Sequence, residues 1–106
     1  MSLRLPGALL SDEAVVSMVR GAVSSIEGAR LDRPGRIARV LPGRGDAVEW
    51  RLEHGALLLD LDVAVAYGSV LPDIARRVRE QVAADVGSMT GLRVGAVDVT
   101  VTGLDA

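Results

Sequence analysis

From Ser11 onward the apolar positions Val15, Val19, Ala22 and Ile26 recur at steps of four, three and four, with Met18 and Val23 beside them. That spacing puts them on one face of a helix. Ser11 precedes Asp12 and Glu13, so a side-chain oxygen is available to cap the first turn, and two acids meet the positive end of the helix dipole. Gly28 is the expected C-cap, which gives a first helix over about residues 11–27. Before it, "ALL" at 8–10 reads as a short edge strand.

At Val48 the period changes to two. Val48, Trp50 and Leu52 alternate with Glu49, Arg51 and Glu53. After His54-Gly55, Leu57, Leu59, Leu61, Val63, Val65 and Tyr67 take one face, and Leu58, Asp60, Asp62, Ala64 and Ala66 the other. A period of two with acids on one side predicts a hairpin with one buried face and one solvated face. Gly55 supplies the positive φ of a tight turn. The alternation stops at Tyr67-Gly68, and Pro72 with Asp73 opens a second helix over about 71–89. Its apolar face is Ile74, Val78, Val82, Val86 and Met89, and Gly91 ends it.

Val97, Val99 and Val101 then alternate with Asp98, Thr100 and Thr102, while Leu92 and Val94 fall out of phase. A one-residue slip at Gly95-Ala96 reconciles them and predicts a β-bulge there. Residues 29–47 hold five arginines against two aspartates, a local charge of +3, and are broken by prolines and glycines. They read as a flexible loop with a short strand at "RIARVL", 36–41. The expected fold is a single two-layer α+β domain over 1–106, in the order α-β-β-α-β, with both helices on one face of a small mixed sheet. The strands joined by the second helix should be parallel, with a right-handed crossover.

Composition narrows the chemistry. The 106 residues are 49% hydrophobic, with one Trp, one Tyr and no Phe, so the core is built from Val, Leu, Ile and Ala. Cysteine is absent, which removes disulfides, thiolate nucleophiles and cysteine metal ligands. All twelve basic residues are arginine, a usage that reads as coding bias, and the net charge of −2 gives no bulk attraction to nucleic acid. The N-terminus has no apolar signal-peptide core, and no apolar run approaches the roughly 20 residues of a membrane span. A cytoplasmic protein with no direct membrane span is expected.

Candidate sites are few. His54 is the only histidine and sits in a predicted turn, a poor start for a metal site. Gly68 lies between strand and helix, but "YGSVLPDI" has no Lys or Thr at phosphate-loop positions. Arg76, Arg77 and Arg79 cluster on the second helix, where Asp73 and Glu80 offer local ion pairs. "RGD" at 44–46 reads as chance. No serine has a histidine nearby in sequence to act as its base, so no enzyme is expected, and no cofactor or metal. What remains is charge on surfaces. Asp60 and Asp62 share the solvated strand face, Asp98 joins them if its strand is a neighbour, and so could Glu49 and Glu53, while Arg36, Arg39 and Arg44 crowd the loop. Asp60, Asp62, Asp98, Arg36, Arg39 and Arg44 are the expected interaction residues.

Two blocks carry a resemblance. "LLSDEAVVSMVRGAVSSIEGA", and "LLLDLDVAVAYGSVLPDIARRVREQVAADVGSMTGLRVGAVDVTV" more closely, resemble the alkaline shock protein family, also called the envelope stress response family. The shared order is an alternating strand, a Tyr-Gly step, a Pro-acid helix start, a long helix, "MTGL" and a Val-rich strand, matched here by Tyr67, Gly68, Pro72, Met89, Thr90 and Gly91. Family members often place a polar cap two residues before the proline; here that residue is Val70, with Ser69 as the alternative cap. The resemblance implies a non-enzymatic stress protein of Gram-positive-type bacteria. It would act as a homo-oligomer and be held at the membrane by an anchoring protein partner. A small nucleic-acid or ligand binding module is the alternative reading.

Overall fold

Ser11 caps the first helix as its position predicts. In the computed structural model, which describes residues 2–5, 8–32 and 47–105, its Oγ accepts the Ala14 N–H at 3.2 Å. Two short strands precede it, β1 (Ser2–Leu5) and β2 (Ala8–Ser11), paired antiparallel with each other. The strand expected at 8–10 is therefore present, as half of a separate hairpin rather than the edge of the main sheet. Helix α1 runs over Asp12–Ser24 and ends before Gly28. The Ser24 and Ser25 hydroxyls donate to the Gly21 and Ala22 carbonyls at 3.0 and 2.7 Å, and the Ile26 N–H bonds Val23 O at 3.0 Å. Such back-bonding competes with the helical ladder and tightens the last turn. Gly28, at φ +86°, turns the chain into a strand instead of capping the helix.

That strand, β3 (Ala29–Leu31), opens the segment read from sequence as a loop. It is followed by β4 (Val48–Glu53) and β5 (Ala56–Ala66), joined through His54 and Gly55. Both turn residues have positive φ, 52° and 77°, as a two-residue primed turn requires. Helix α2 spans Leu71–Thr90, and β6 spans Arg93–Asp105, beyond its expected end.

Strand β5 is the centre of the sheet. Along one side it pairs with β6, parallel, as expected. Along the other side it pairs antiparallel with β4 over one half and β3 over the other. Asp62 is the handover point: its carbonyl accepts the Asp32 N–H at 2.9 Å, and its own N–H donates to Ala47 O at 2.9 Å. β3 and β4 are thus two collinear pieces of one outer strand, separated in sequence by residues 33–46. The strand expected at 36–41 lies outside the described residues.

The β5–β6 register contains the predicted bulge. Leu57 faces Val94 and Leu58 faces Ala96, so Gly95 is the extra residue. A second shift, at Val63/Ala64, leaves Thr102 as the extra residue near the far end.

One sheet face packs on both helices. Leu57, Leu59, Leu61, Val63 and Val65 of β5 are buried against Val15, Val19 and Val23 of α1 and Val78, Val82 and Val86 of α2. Trp50 Nε1 donates to Asp12 Oδ1 at 2.6 Å, which ties the start of α1 to β4. Two expected core residues are outside. Tyr67 is 78% exposed, because β5 ends at Ala66 and Tyr67 belongs to the turn that follows. Met89 is 64% exposed, in the last turn of α2. Among the described residues, no helix is long and apolar enough to cross a membrane.

The helix ends give one direct stability prediction. Gly91 caps α2 at φ +72°, its N–H bonding Gly87 O at 2.9 Å, while Thr90 Oγ1 donates to Val86 O and accepts the Leu92 N–H. Gly91→Ala should destabilise by about 1 kcal/mol, since a Cβ disfavours the left-handed region. Gly21→Ala, in open space within α1, should instead stabilise by up to about 1 kcal/mol. Urea midpoints moving in opposite directions would verify the pair.

Candidate interaction surface

The other sheet face carries no helix among the described residues, and its side chains are the charged half of the alternating pattern. Register places Glu49 of β4 opposite Asp60 of β5, and Asp60 opposite Asp98 of β6. Three carboxylates therefore stand in one row across three strands. Like charges directly opposite each other destabilise a sheet. The compensation visible here is Arg51, whose Nη1 lies 3.7 Å from Asp60 and whose Nε lies 3.2 Å from Glu53. Asp62, one step along β5, faces Thr100 and sits at the break between β3 and β4.

Toward the far end of the sheet the floor becomes Ala64, Ala66 and Gly103, and longer side chains lie across it. Arg30 reaches from β3 over β5 to β6, where Nε and Nη2 each donate to an Asp105 carboxylate oxygen at 2.8 Å. Asp32 crosses the same way: its Oδ2 accepts the Thr102 hydroxyl at 2.7 Å, and its Oδ1 lies 3.6 Å from Arg30 Nη1. The small floor is what permits this, for a Cβ on Gly103 would come within 2.9 Å of Asp32 Oδ2. The two-pronged hydrogen bond from Arg30 holds the Asp105 carboxyl below its ordinary pKa and raises the guanidinium's own. Asp105 is depressed in the folded state, so its contribution to stability is present above the unfolded carboxylate pKa and is lost as pH falls through the folded value. An NMR titration should find Asp105 with a midpoint below the usual carboxylate range, and Arg30→Gln should bring it back up.

The expected interaction residues divide by location. Asp60, Asp62 and Asp98 lie on one face, the first two half-buried and Asp98 exposed. Arg36, Arg39 and Arg44 lie outside the described residues. The residues that flank their segment, Asp32 and Ala47, both hydrogen-bond to the Asp62 backbone. His54 is exposed in its turn, and Arg76 lies 3.6 Å from Asp73 on the solvent side of α2. Val70 is the N-cap of α2 with no side-chain bond, so Ser69 does not take that role. Sequence reasoning missed Arg30, Asp32, Thr102 and Asp105. The alternation of Ala29 and Leu31 with Arg30 and Asp32 was the available signal, four residues long and cut off by Pro34-Gly35.

A search of curated proteins gives no significant match. Among solved structures, a zinc form of the MamM CTD superposes with a TM-score of 0.51 at 18% identity, covering 89% of this chain and 84% of that one. At that identity the likeness shows a shared fold alone. A family profile described as alkaline shock protein 23 family, cell envelope-related function, matches residues 8–106, which spans every element from β2 to β6. The chain belongs to that family.

Proposed function

We propose that this chain is a non-enzymatic cell-envelope stress protein that works by self-association and by docking to a membrane-anchored partner. The observation that supports this reading most is the sheet face without helices, which bears the Glu49–Asp60–Asp98 row in register. A fold that opposes three carboxylates gives up some stability. An arginine-rich segment from another chain would relieve that cost, and this chain carries one. In this reading Arg36, Arg39 and Arg44 of one protomer contact Asp60, Asp62 or Asp98 of a neighbour, and the planar guanidinium suits carboxylate pairs. No side chain is assigned a catalytic role, and no cofactor is required.

The protein would operate on the inner side of the membrane and reach it through its partner. Pull-down from a detergent-solubilised membrane fraction, with the purified chain as bait, tests this arm. Enrichment of a membrane-spanning protein, lost in the triple variant Arg36→Ser/Arg39→Ser/Arg44→Ser or in Asp60→Asn/Asp98→Asn, is the expected result. Equal enrichment by all three baits would remove the charged face from the account.

A further inference from the structure

Strand β6 has a property that its pairing with β5 does not use. It is 13 residues long, and among the described residues it pairs on one side alone. A typical strand is about 5–6 residues. Edges of this length are usually shortened, covered or bent away, because a row of free N–H and C=O groups is a template for another chain. Here the edge is β-branched through its middle and interrupted only near its two ends, at Gly95 and Thr102.

The sequence of β6 is self-complementary about Val99. Laid antiparallel against a second copy with Val99 opposite Val99, it brings Arg93 opposite Asp105, Val94 opposite Leu104, and Gly95 opposite Gly103. Ala96 then meets Thr102, Val97 meets Val101, and Asp98 meets Thr100. The faces agree as well. Val94, Val97, Val99, Val101 and Leu104 share a face with Leu57, Leu59, Leu61, Val63 and Val65, their β5 neighbours, so they lie on the helix side. Arg93, Ala96, Asp98, Thr100 and Asp105 pair with the alternate residues of β5 and lie on the other side. The two bulges, each of which flips the alternation, stand nearly symmetric about Val99, and this is why the ends match.

Shifting the register by one residue in each copy breaks the match. Centred on Asp98, two carboxylates oppose each other. Centred on Thr100, Leu104 of the helix side meets Ala96 of the bare side. The Val99 register also gives two exposed groups a role. Leu104 is 57% exposed and would pack on Val94, and Arg93 holds no ion pair among the described residues and would meet Asp105.

We infer that β6 pairs with β6 of a second copy of this chain, antiparallel about a two-fold axis at Val99. The result is one continuous sheet, with the helices of both copies on one side and both acidic rows on the other. This inference rests on the self-association proposed above and specifies its surface. Opposing residues in an antiparallel pair have Cα atoms about 4.5–5.5 Å apart, within disulfide reach, whereas diagonal neighbours are about 7–8 Å apart, at or past its limit.

The chain has no cysteine, so introduced thiols report cleanly. With diamide as oxidant, at a concentration where the wild-type chain sediments as a dimer or larger, Val99→Cys should convert most of the protein to a covalent dimer. Asp98→Cys alone and Thr100→Cys alone should cross-link at least tenfold more slowly, and an equimolar mixture of the two should cross-link as fast as Val99→Cys. The mixture uses exposed positions, so it decides the matter even if Val99→Cys folds poorly. Arg93→Asp should raise the dissociation constant of the pair about tenfold by placing acid against acid at both ends. Fast cross-linking of Asp98→Cys or Thr100→Cys alone overturns the register. A wild-type chain that self-associates while neither Val99→Cys nor the mixture cross-links overturns the β6 pair and leaves the self-association reading intact. A wild-type chain that stays monomeric overturns both.

Discussion

Leu59→Ala is expected to lower the melting temperature by about 15 °C, taking roughly 3 kcal/mol for the cavity and about 5 °C per kcal/mol for a domain of this size. Leu59 is 1% exposed at the middle of β5, with Trp50 on its β4 neighbour and Val97 on its β6 neighbour. Above it the helices present mainly valines, whose branched Cβ leaves little rotamer freedom to collapse into a void. With no phenylalanine in the chain, the core depends on few large side chains, and Leu57, Leu59 and Leu61 are the largest that are fully buried. Leu58→Ala is the control: it faces the bare side and is half-buried, so its loss should be about 1 kcal/mol or less. Thermal unfolding by circular dichroism reads both. Equal shifts for the two variants would mean that the helices do not cover the face assigned to them.

Replacing Arg36, Arg39 and Arg44 together with serine is expected to weaken assembly beyond the two-fold pair by roughly a hundredfold. This takes about 1 kcal/mol for each charge-assisted contact with the acidic row. The same assembly should weaken in wild-type protein as salt rises, since the Debye length falls from about 10 Å at 0.1 M to about 3 Å at 1 M. Asp60→Asn/Asp98→Asn should reproduce the loss from the acceptor side while making the isolated domain more stable, because it removes the opposed charges. That opposite sign separates a surface kept for binding from one kept for folding. Sedimentation velocity on the four samples, with urea unfolding of the acidic variant, checks it. Unchanged assembly in the arginine variant would dismiss the loop as a contact.

The period-two run from Leu57 to Val65 and the phase slip at Gly95 were legible because each extends over enough residues to fix a phase, and both stand in the structure. The short strand at Ala29–Leu31 was not legible. Its alternation lasts four residues, and the Pro34-Gly35 that follows is the stronger local signal. The bulge at Thr102 left no trace, since Gly103-Leu104-Asp105 is too short to show a new phase. Tyr67 and Met89 continue their patterns at the ends of their elements yet are exposed, since burial depends on tertiary packing that periodicity does not contain.

The acidic row was half visible. Asp60 and Asp62 share a face by parity, but the addition of Glu49 and Asp98 in register needed the pairing of three strands. The Arg30–Asp105 link joins residues 75 apart, and no local pattern announces it. The all-arginine composition has a consequence at that link, where two parallel N–H groups grip one carboxylate in a way a lysine would not reproduce.

Sedimentation equilibrium of the wild-type chain, from about 1 μM to about 500 μM in low salt, probes self-association itself, since a pair that forms at millimolar strength or better must register in that range. A mass above the monomer that rises with concentration is expected. A mass fixed at the monomer value across the whole range would contradict self-association.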